Sequence, residues 1–167
     1  MTTSWDRWAL EMCALISTRS KDPSTRVGAL ILRPDRTIAS CGFNGFARGC
    51  DDSPSLYEAK PLKLARIIHA ELNAILSAKE SLSGYTLYVS PFSPCSHCAA
   101  AIIQSGITRV VVGQDERIRP NWMESIIEGN QMFREAGIEK EIIYLNYLAD
   151  LTSTGINPIE SIDGESK

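Results

Sequence analysis

One histidine and two cysteines are spaced as the ligands of a metal site. His69 is followed by Glu71, and 22 residues (72–93) separate that glutamate from Pro94, which precedes Cys95 and Cys98. Three protein ligands leave the fourth position of a tetrahedral zinc for water, and zinc lowers the pKa of that water to about 7. Glu71 is not needed as a ligand and is free to move protons. The pattern predicts a catalytic Zn²⁺ ion with a zinc-bound hydroxide and a carboxylate proton shuttle.

Other interpretations of the same residues differ in what the metal does. A lone C-x-x-C pair also occurs in structural zinc sites and in redox pairs, and a short H-x-E pattern arises by chance. A closed structural site needs a fourth protein ligand. His97, which we expect to be exposed, lies between the two cysteines and is a poor fourth ligand; Asp and Glu ligands remain open. The combined pattern is that of the zinc nucleobase deaminases, and it favours the catalytic interpretation.

Hydrophobic spacing predicts the elements that position these residues. Predicted helices cover 4–19, 69–80, Cys95 to about Gly106, and 121–136, and a long polar connection covers 43–66. Predicted strands are Arg26–Leu32, Arg36–Gly42, Thr86–Ser90, Arg109–Gly113 and Glu141–Leu145. Both halves of the metal site therefore open a helix, where the macrodipole favours thiolates. The order predicts a three-layer α/β/α fold whose five-stranded mixed sheet contains a hairpin and then three parallel strands.

Length and composition indicate one domain and a small-molecule substrate. The 167 residues are 44% hydrophobic and 22% charged, and we expect a single domain over 1–150 with a loosely ordered tail at 151–167. A net charge of −3 disfavours a polynucleotide partner, because such proteins usually present a basic surface. No apolar run approaches the ~20 residues that span a bilayer, and the N-terminus does not look like a secretory signal. We expect a cytoplasmic protein without a membrane partner.

The cysteines do not suggest a disulfide framework. There are five, an odd number, spread along the chain. Two are assigned to the metal. The other three, Cys13, Cys41 and Cys50, are predicted to be small buried side chains or idle thiols.

Beyond the metal residues, 5–145 resembles the deoxycytidylate (dCMP) deaminases. The matching segments are Ser20–Ala29, Gly42–Gly49, His69–Ile75 and Pro94–Ile107. The resemblance implies a cytidine deaminase-like fold and hydrolytic conversion of dCMP to dUMP and ammonia. It implies that zinc is bound by His69, Cys95 and Cys98, that Glu71 is the proton shuttle, and that the substrate contacts Thr25, Arg26, Asn44 and the backbone of Ala70. An arginine suits a 5′-phosphate, because its planar fork can bind two oxygens.

The resemblance also implies regulation and assembly. Many members of the family are hexamers that dCTP activates and dTTP inhibits, so we expect a homo-oligomer, specifically a hexamer. The effector site would comprise Gly42, Phe43, Asn44, Gly45, Arg48, Asp51 and Asp52, with Mg²⁺ bridging the triphosphate and the carboxylates. Ala47 is a departure, since family members commonly carry proline there, and alanine leaves the loop freer. No set of ligands for a second zinc is evident.

Two other functions remain open. One is a related zinc deaminase that acts on another nucleoside, nucleotide or tRNA base, which the acidic charge and the Ser20–Ala29 segment disfavour. The other is a non-catalytic nucleotide-binding zinc protein, which Glu71 disfavours because a structural zinc has no use for it.

Overall fold

The computed structural model describes residues 3–114 and 120–144. Its helices are α1 Ser4–Ser17, α2 Pro54–Glu58, α3 Lys60–Arg66, α4 Ala70–Ser77, α5 Ser96–Gln104 and α6 Pro120–Glu135. Its strands are β1 Gly28–Leu32, β2 Ile38–Phe43, β3 Gly45–Phe46, β4 Ile67–Ile68, β5 Thr86–Ser90, β6 Arg109–Gln114 and β7 Glu139–Tyr144. None of the helices described is long and apolar enough to cross a bilayer.

The main sheet has the strand order β2-β1-β5-β6-β7. Strand β1 is antiparallel to both β2 and β5, whereas β5, β6 and β7 run parallel. The predicted α/β fold, with a hairpin followed by three parallel strands, is confirmed.

Alternate residues of the central strands pack into two separate apolar layers. On one face, Ala29, Ile31 and Val89 pack against buried residues of α4, α5 and α6. On the other face, Leu30 and Tyr88 pack against α1. Because β1 and the middle of β6 are buried on both faces, they are continuous apolar runs rather than alternating ones. Burying each such side chain contributes about 1.5–3 kcal/mol, so the sheet is a rigid support for the loops at its ends.

A buried carboxylate fixes α1 to the sheet. The side chain of Thr3 caps α1, and the side chain of Asp6 accepts from the Thr3 backbone in return. Asp6 is 1% exposed, and its oxygens lie 2.7 and 3.3 Å from the guanidinium nitrogens of Arg109, while the Tyr88 hydroxyl donates to it at 2.9 Å. Burial alone would raise the pKa of Asp6, but these hydrogen bonds lower it far below its usual range.

The prediction of an unstructured connection over 43–66 is wrong. That stretch contains β3, α2 and α3, and β3 pairs with β4 in a separate two-stranded sheet. The helices have only 5 and 7 residues, too short for a hydrophobic period to be visible in the sequence, and both carry proline in the first turn. They are held by tertiary contacts such as the stacking of Tyr57 on Phe46, with ring centroids 4.2 Å apart.

Smaller differences concern element ends and cysteines. Helix α4 ends at Ser77 rather than at residue 80, because Ala78 is extended. Of the three cysteines predicted to be small buried side chains or idle thiols, Cys13 is buried, whereas Cys41 and Cys50 are exposed free thiols. Strand β2 is an edge strand, and residue 50 lies in a surface turn. The end of the last predicted strand at Leu145 and the tail at 151–167 lie outside the described residues.

Candidate active site

The three predicted metal ligands meet at the N-terminal ends of two helices. His69 immediately precedes α4, Cys95 immediately precedes α5, and Cys98 lies in the first turn of α5. The Nδ1 atom of His69 is 3.5 Å from the Cys95 sulfur and 3.4 Å from the Cys98 sulfur. All three donor atoms lie within 4.8 Å of one another. Tetrahedral bonds of about 2.3 Å to sulfur and 2.0–2.1 Å to nitrogen would separate these atoms by about 3.5 Å, so the donor set fits zinc.

A hydrogen bond between the Cys95 and Cys98 side chains shifts the pKa values of the two thiols in opposite directions. The hydrogen bond from Cys98 lowers the pKa of the Cys95 thiol to about 3, although partial burial opposes this. The same hydrogen bond, together with burial, raises the pKa of Cys98 far above its usual range. Zinc is bound by thiolates, so metal binding at this pair would release protons.

Glu71 stands beside the metal donors in the first turn of α4. Its side chain is buried, with 4% of the residue exposed, and it lines the same cavity as His69. Burial raises the pKa of Glu71, although the nearby His69 partly offsets this. A carboxyl group with a raised pKa can both accept and return a proton near neutral pH.

These residues line a cavity of about 270 Å³. Its wall includes the Ala70 backbone region, the edge-to-face pair Phe92 and Trp122 with ring centroids 5.6 Å apart, and a polar group formed by Asp22, Thr25, Asn44 and Lys63. The cavity lies where the chain leaves the carboxyl end of β5, which is the usual position of ligand sites in parallel sheets.

Not all of the predicted substrate residues reach this wall. Thr25, Asn44 and Ala70 line the cavity, and Arg26 does not. The Nε atom of Arg26 instead donates to the Asp22 carbonyl at 3.4 Å. The Asn44 amide is used within the protein, because its oxygen accepts from the Val27 backbone at 2.8 Å and its nitrogen donates to the Thr25 carbonyl at 2.8 Å.

The other predicted effector residues lie outside the cavity wall and have protein neighbours. Gly42 of β2 contacts the backbone of α4, and the Phe43 carbonyl accepts from Asn73 of α4 at 2.8 Å. Gly45 pairs with β4. The remaining three polar residues contact neighbouring side chains or backbone: Arg48 donates to Ser77 at 3.2 Å, Asp51 accepts from the Ser53 backbone at 3.0 Å, and Asp52 pairs with Lys21 at 2.6 Å.

The wall residues that sequence reasoning missed include two charged and two aromatic side chains: Asp22, Lys63, Phe92 and Trp122. The positions of the two aromatic residues in the chain gave a signal. Phe92 lies just after the end of β5, and Trp122 lies in the first turn of α6, the helix that follows the next parallel strand, β6. Asp22 and Lys63 carry no such signal, since they are 41 residues apart and meet only in the folded chain.

Comparison with known proteins identifies the family to which this chain belongs. Residues 3–114 match the family model of the cytidine and deoxycytidylate deaminase zinc-binding region. The chain belongs to this family. Members of the family are zinc-dependent deaminases, and the donor set of His69, Cys95 and Cys98 agrees with that assignment.

Individual relatives and solved structures agree with the family. An uncharacterized deaminase in the luxG 3′ region of Aliivibrio fischeri is 42% identical over 149 residues, which cover 89% of this chain and 99% of that protein. The probable deoxycytidylate deaminase of Drosophila melanogaster is 41% identical over 67% of this chain and 60% of its own. The dCMP deaminase from cyanophage S-TIM5 has the same fold, with a TM-score of 0.66, 23% identity, and coverage of 86% of this chain and 100% of that one.

Proposed function

We propose that the protein converts dCMP and water to dUMP and ammonia. The observation that carries the proposal is the buried Glu71 carboxyl beside the three zinc donors on the wall of one cavity. The similarity to deoxycytidylate deaminases of animals, such as the human enzyme at 35% identity over 118 residues, supports dCMP as the substrate.

The reaction moves both protons of the attacking water, one to ring N3 and one to the amino group that leaves C4. A zinc ion held by His69, Cys95 and Cys98 would act as a Lewis acid and lower the pKa of water, so that hydroxide would be available near neutral pH. The Glu71 carboxylate takes a proton from the attacking water and gives it to ring N3. A second proton follows the same route to the amino group, which leaves as ammonia. Burial raises the pKa of Glu71 above its usual value, which favours return of the proton from this carboxyl group to the substrate.

Other residues of the wall orient the nucleotide. We propose that the base lies against Trp122 and the Ala70 backbone, since aromatic faces stack on bases without needing a specific hydrogen bond. Thr25 and Asn44 bound the polar part of the same cavity and are assigned to the sugar and phosphate side.

The test is a substrate panel on the purified, zinc-loaded protein. We expect dCMP to lose its cytosine absorbance and to release ammonia in equal amount, faster than cytidine, CMP or dCTP. The variant Glu71→Gln should keep its zinc and lose turnover. A zinc-loaded protein that leaves dCMP unchanged would refute the proposal. Preferential turnover of another base or nucleoside would establish the alternative deaminase instead.

We further propose that the protein is a cytoplasmic homo-oligomer, a hexamer, activated by dCTP and inhibited by dTTP with Mg²⁺. This proposal is supported by two contacts of the segment from Gly42 to Asp52 with the candidate active site. Gly42 contacts α4, which carries Glu71, and Asn44 lines the cavity. A triphosphate bound there would therefore shift residues next to the substrate. Kinetics with each effector, with and without Mg²⁺, test regulation, and light scattering tests assembly. Kinetics that neither effector changes would refute the regulatory proposal.

A further inference from the structure

The cavity has one fixed cationic side chain away from the metal donors. Lys63 of α3 is the only lysine or arginine in the described part of the wall. The histidines of the wall lie elsewhere, His69 as a metal donor and His97 beside Cys98. A nucleotide phosphate carries about two negative charges and needs a cation in any site that excludes water.

Lys63 is held in place by a buried carboxylate. Its side chain is 13% exposed, and its Nζ atom lies 2.7 Å from each oxygen of Asp22 and 2.8 Å from the Ser24 hydroxyl. Asp22 is 1% exposed and also accepts from the backbone of Ser24 at 2.9 Å and of Thr25 at 3.1 Å. The Lys63 ammonium group is therefore positioned next to residues 24 and 25. The Asp22 carboxylate that pairs with it also accepts hydrogen bonds from the backbone of both residues.

A phosphate can enter this arrangement without leaving a buried group unpaired. The Ser24 hydroxyl, which accepts from Lys63, also donates to Asp22 at 3.0 Å, so it keeps one bond when a phosphate oxygen takes its place beside the ammonium. Thr25 lines the cavity, and no hydrogen bond occupies its hydroxyl among the residues described. It offers a second donor adjacent to the first.

We propose that Lys63, with the Thr25 hydroxyl, binds the 5′-phosphate of the nucleotide and makes the site prefer nucleotides over nucleosides. Arg26, the sequence-based candidate for this role, lies outside the wall. The inference rests on the proposed function, because it assigns the phosphate of the same substrate. A purely structural role for Lys63, in which it only fastens α3 to the 22–25 loop, would not make the site distinguish a nucleotide from a nucleoside.

The test measures binding of the product dUMP and of deoxyuridine to the zinc-loaded protein by calorimetry. The variant Lys63→Gln keeps the length of the side chain and removes its charge, while Lys60→Gln makes the same change on the exposed part of α3. We expect Lys63→Gln to weaken dUMP binding about 10- to 100-fold and to leave deoxyuridine within about twofold, since one charge-assisted hydrogen bond is lost. Lys60→Gln should change neither.

Equal weakening of dUMP and deoxyuridine by Lys63→Gln, or no weakening of either, would overturn the assignment. Because that variant leaves Asp22 without its cation, its fold is checked by thermal denaturation. Thr25→Val, which removes a hydroxyl and no charge, provides a second test and should weaken dUMP alone about fivefold. If Lys63→Gln weakens dUMP binding alone, yet the zinc-loaded wild-type protein does not deaminate dCMP, the proposed function fails and the phosphate assignment stands.

Discussion

Gly42 is placed where any side chain would push against α4, the helix that carries Glu71. A Cβ atom at this position would lie 2.4 Å from the Ala74 nitrogen and 2.5 Å from the Ala70 oxygen, both backbone atoms of α4. Ordinary van der Waals contact begins at 3.4 Å, so Gly42→Ala requires β2 and α4 to separate by 1.0 Å (3.4 − 2.4). His69 and Glu71 stand at the start of that helix and would move with it.

Two magnitudes follow from this displacement. Overpacking of this kind costs about 1–3 kcal/mol, which lowers Tm by roughly 2–12 °C in a domain of this size. A displacement of catalytic groups by about 1 Å costs on the order of 100-fold in rate. We therefore expect Gly42→Ala to lose activity far beyond its loss of stability, at temperatures where the variant is still folded.

The assay compares Gly42→Ala with Gly45→Ala by thermal denaturation and by kcat for dCMP. Gly45 lies three residues away in the same glycine-containing segment, but the nearest atom to a Cβ there is 3.9 Å away, in a flexible Phe43 side chain. We expect Gly45→Ala to change stability by less than about 0.5 kcal/mol. Wild-type Tm and kcat in Gly42→Ala would contradict the reasoning, as would equal effects of the two substitutions.

Three further predictions concern the metal, the buried ion pair and the aromatic wall. Cys98→Ala should reduce bound zinc from about one ion per chain to near none, measured by elemental analysis; retention of the ion would mean that another residue completes the site. Asp6→Asn should lower the free energy of unfolding by about 3 kcal/mol, at the lower end for a broken buried pair because Arg109 keeps its ion pair with Glu141. Because folding lowers the pKa of Asp6, the wild-type protein should lose this contribution to its free energy of unfolding as the pH falls below about 4. Urea titrations at pH 2–7 should therefore show a smaller decrease in the free energy of unfolding at acid pH for Asp6→Asn than for the wild type. Identical pH profiles of the two proteins would contradict this. Trp122→Ala should raise KM for dCMP about 5- to 100-fold with a smaller effect on kcat, and an unchanged KM would mean that the base does not stack there.

The sheet and the metal residues were predictable because their signals are local. Strand β1 and the middle of β6 are buried on both faces and therefore stand out as apolar runs. The cysteines are three residues apart at a helix start, so their spacing alone brings both sulfurs to one side of α5. His69 was predicted to reach the same point because it precedes a helix, and its Nδ1 atom lies within 3.5 Å of both sulfurs.

The rest of the site depends on contacts that the sequence does not display. Helices α2 and α3 are too short to have a visible hydrophobic period, so Lys63 was hidden within a stretch taken for a polar connection. Its partner Asp22 is 41 residues earlier in the chain, and nothing local distinguishes it from a surface carboxylate. The family resemblance implies a nucleotide contact for Arg26, and an arginine suits a phosphate, but in the structure its Nε atom donates to the Asp22 carbonyl.

The central claim is tested most directly by the origin of the oxygen in the product. We would incubate the zinc-loaded protein with dCMP in ¹⁸O-labelled water and analyse the nucleotide by mass spectrometry. Hydrolytic deamination predicts dUMP that carries one oxygen from the solvent, formed in equal amount with ammonia, and no labelled product from Glu71→Gln. Unchanged dCMP in the presence of the zinc-loaded protein, or dUMP without solvent oxygen, would contradict the account.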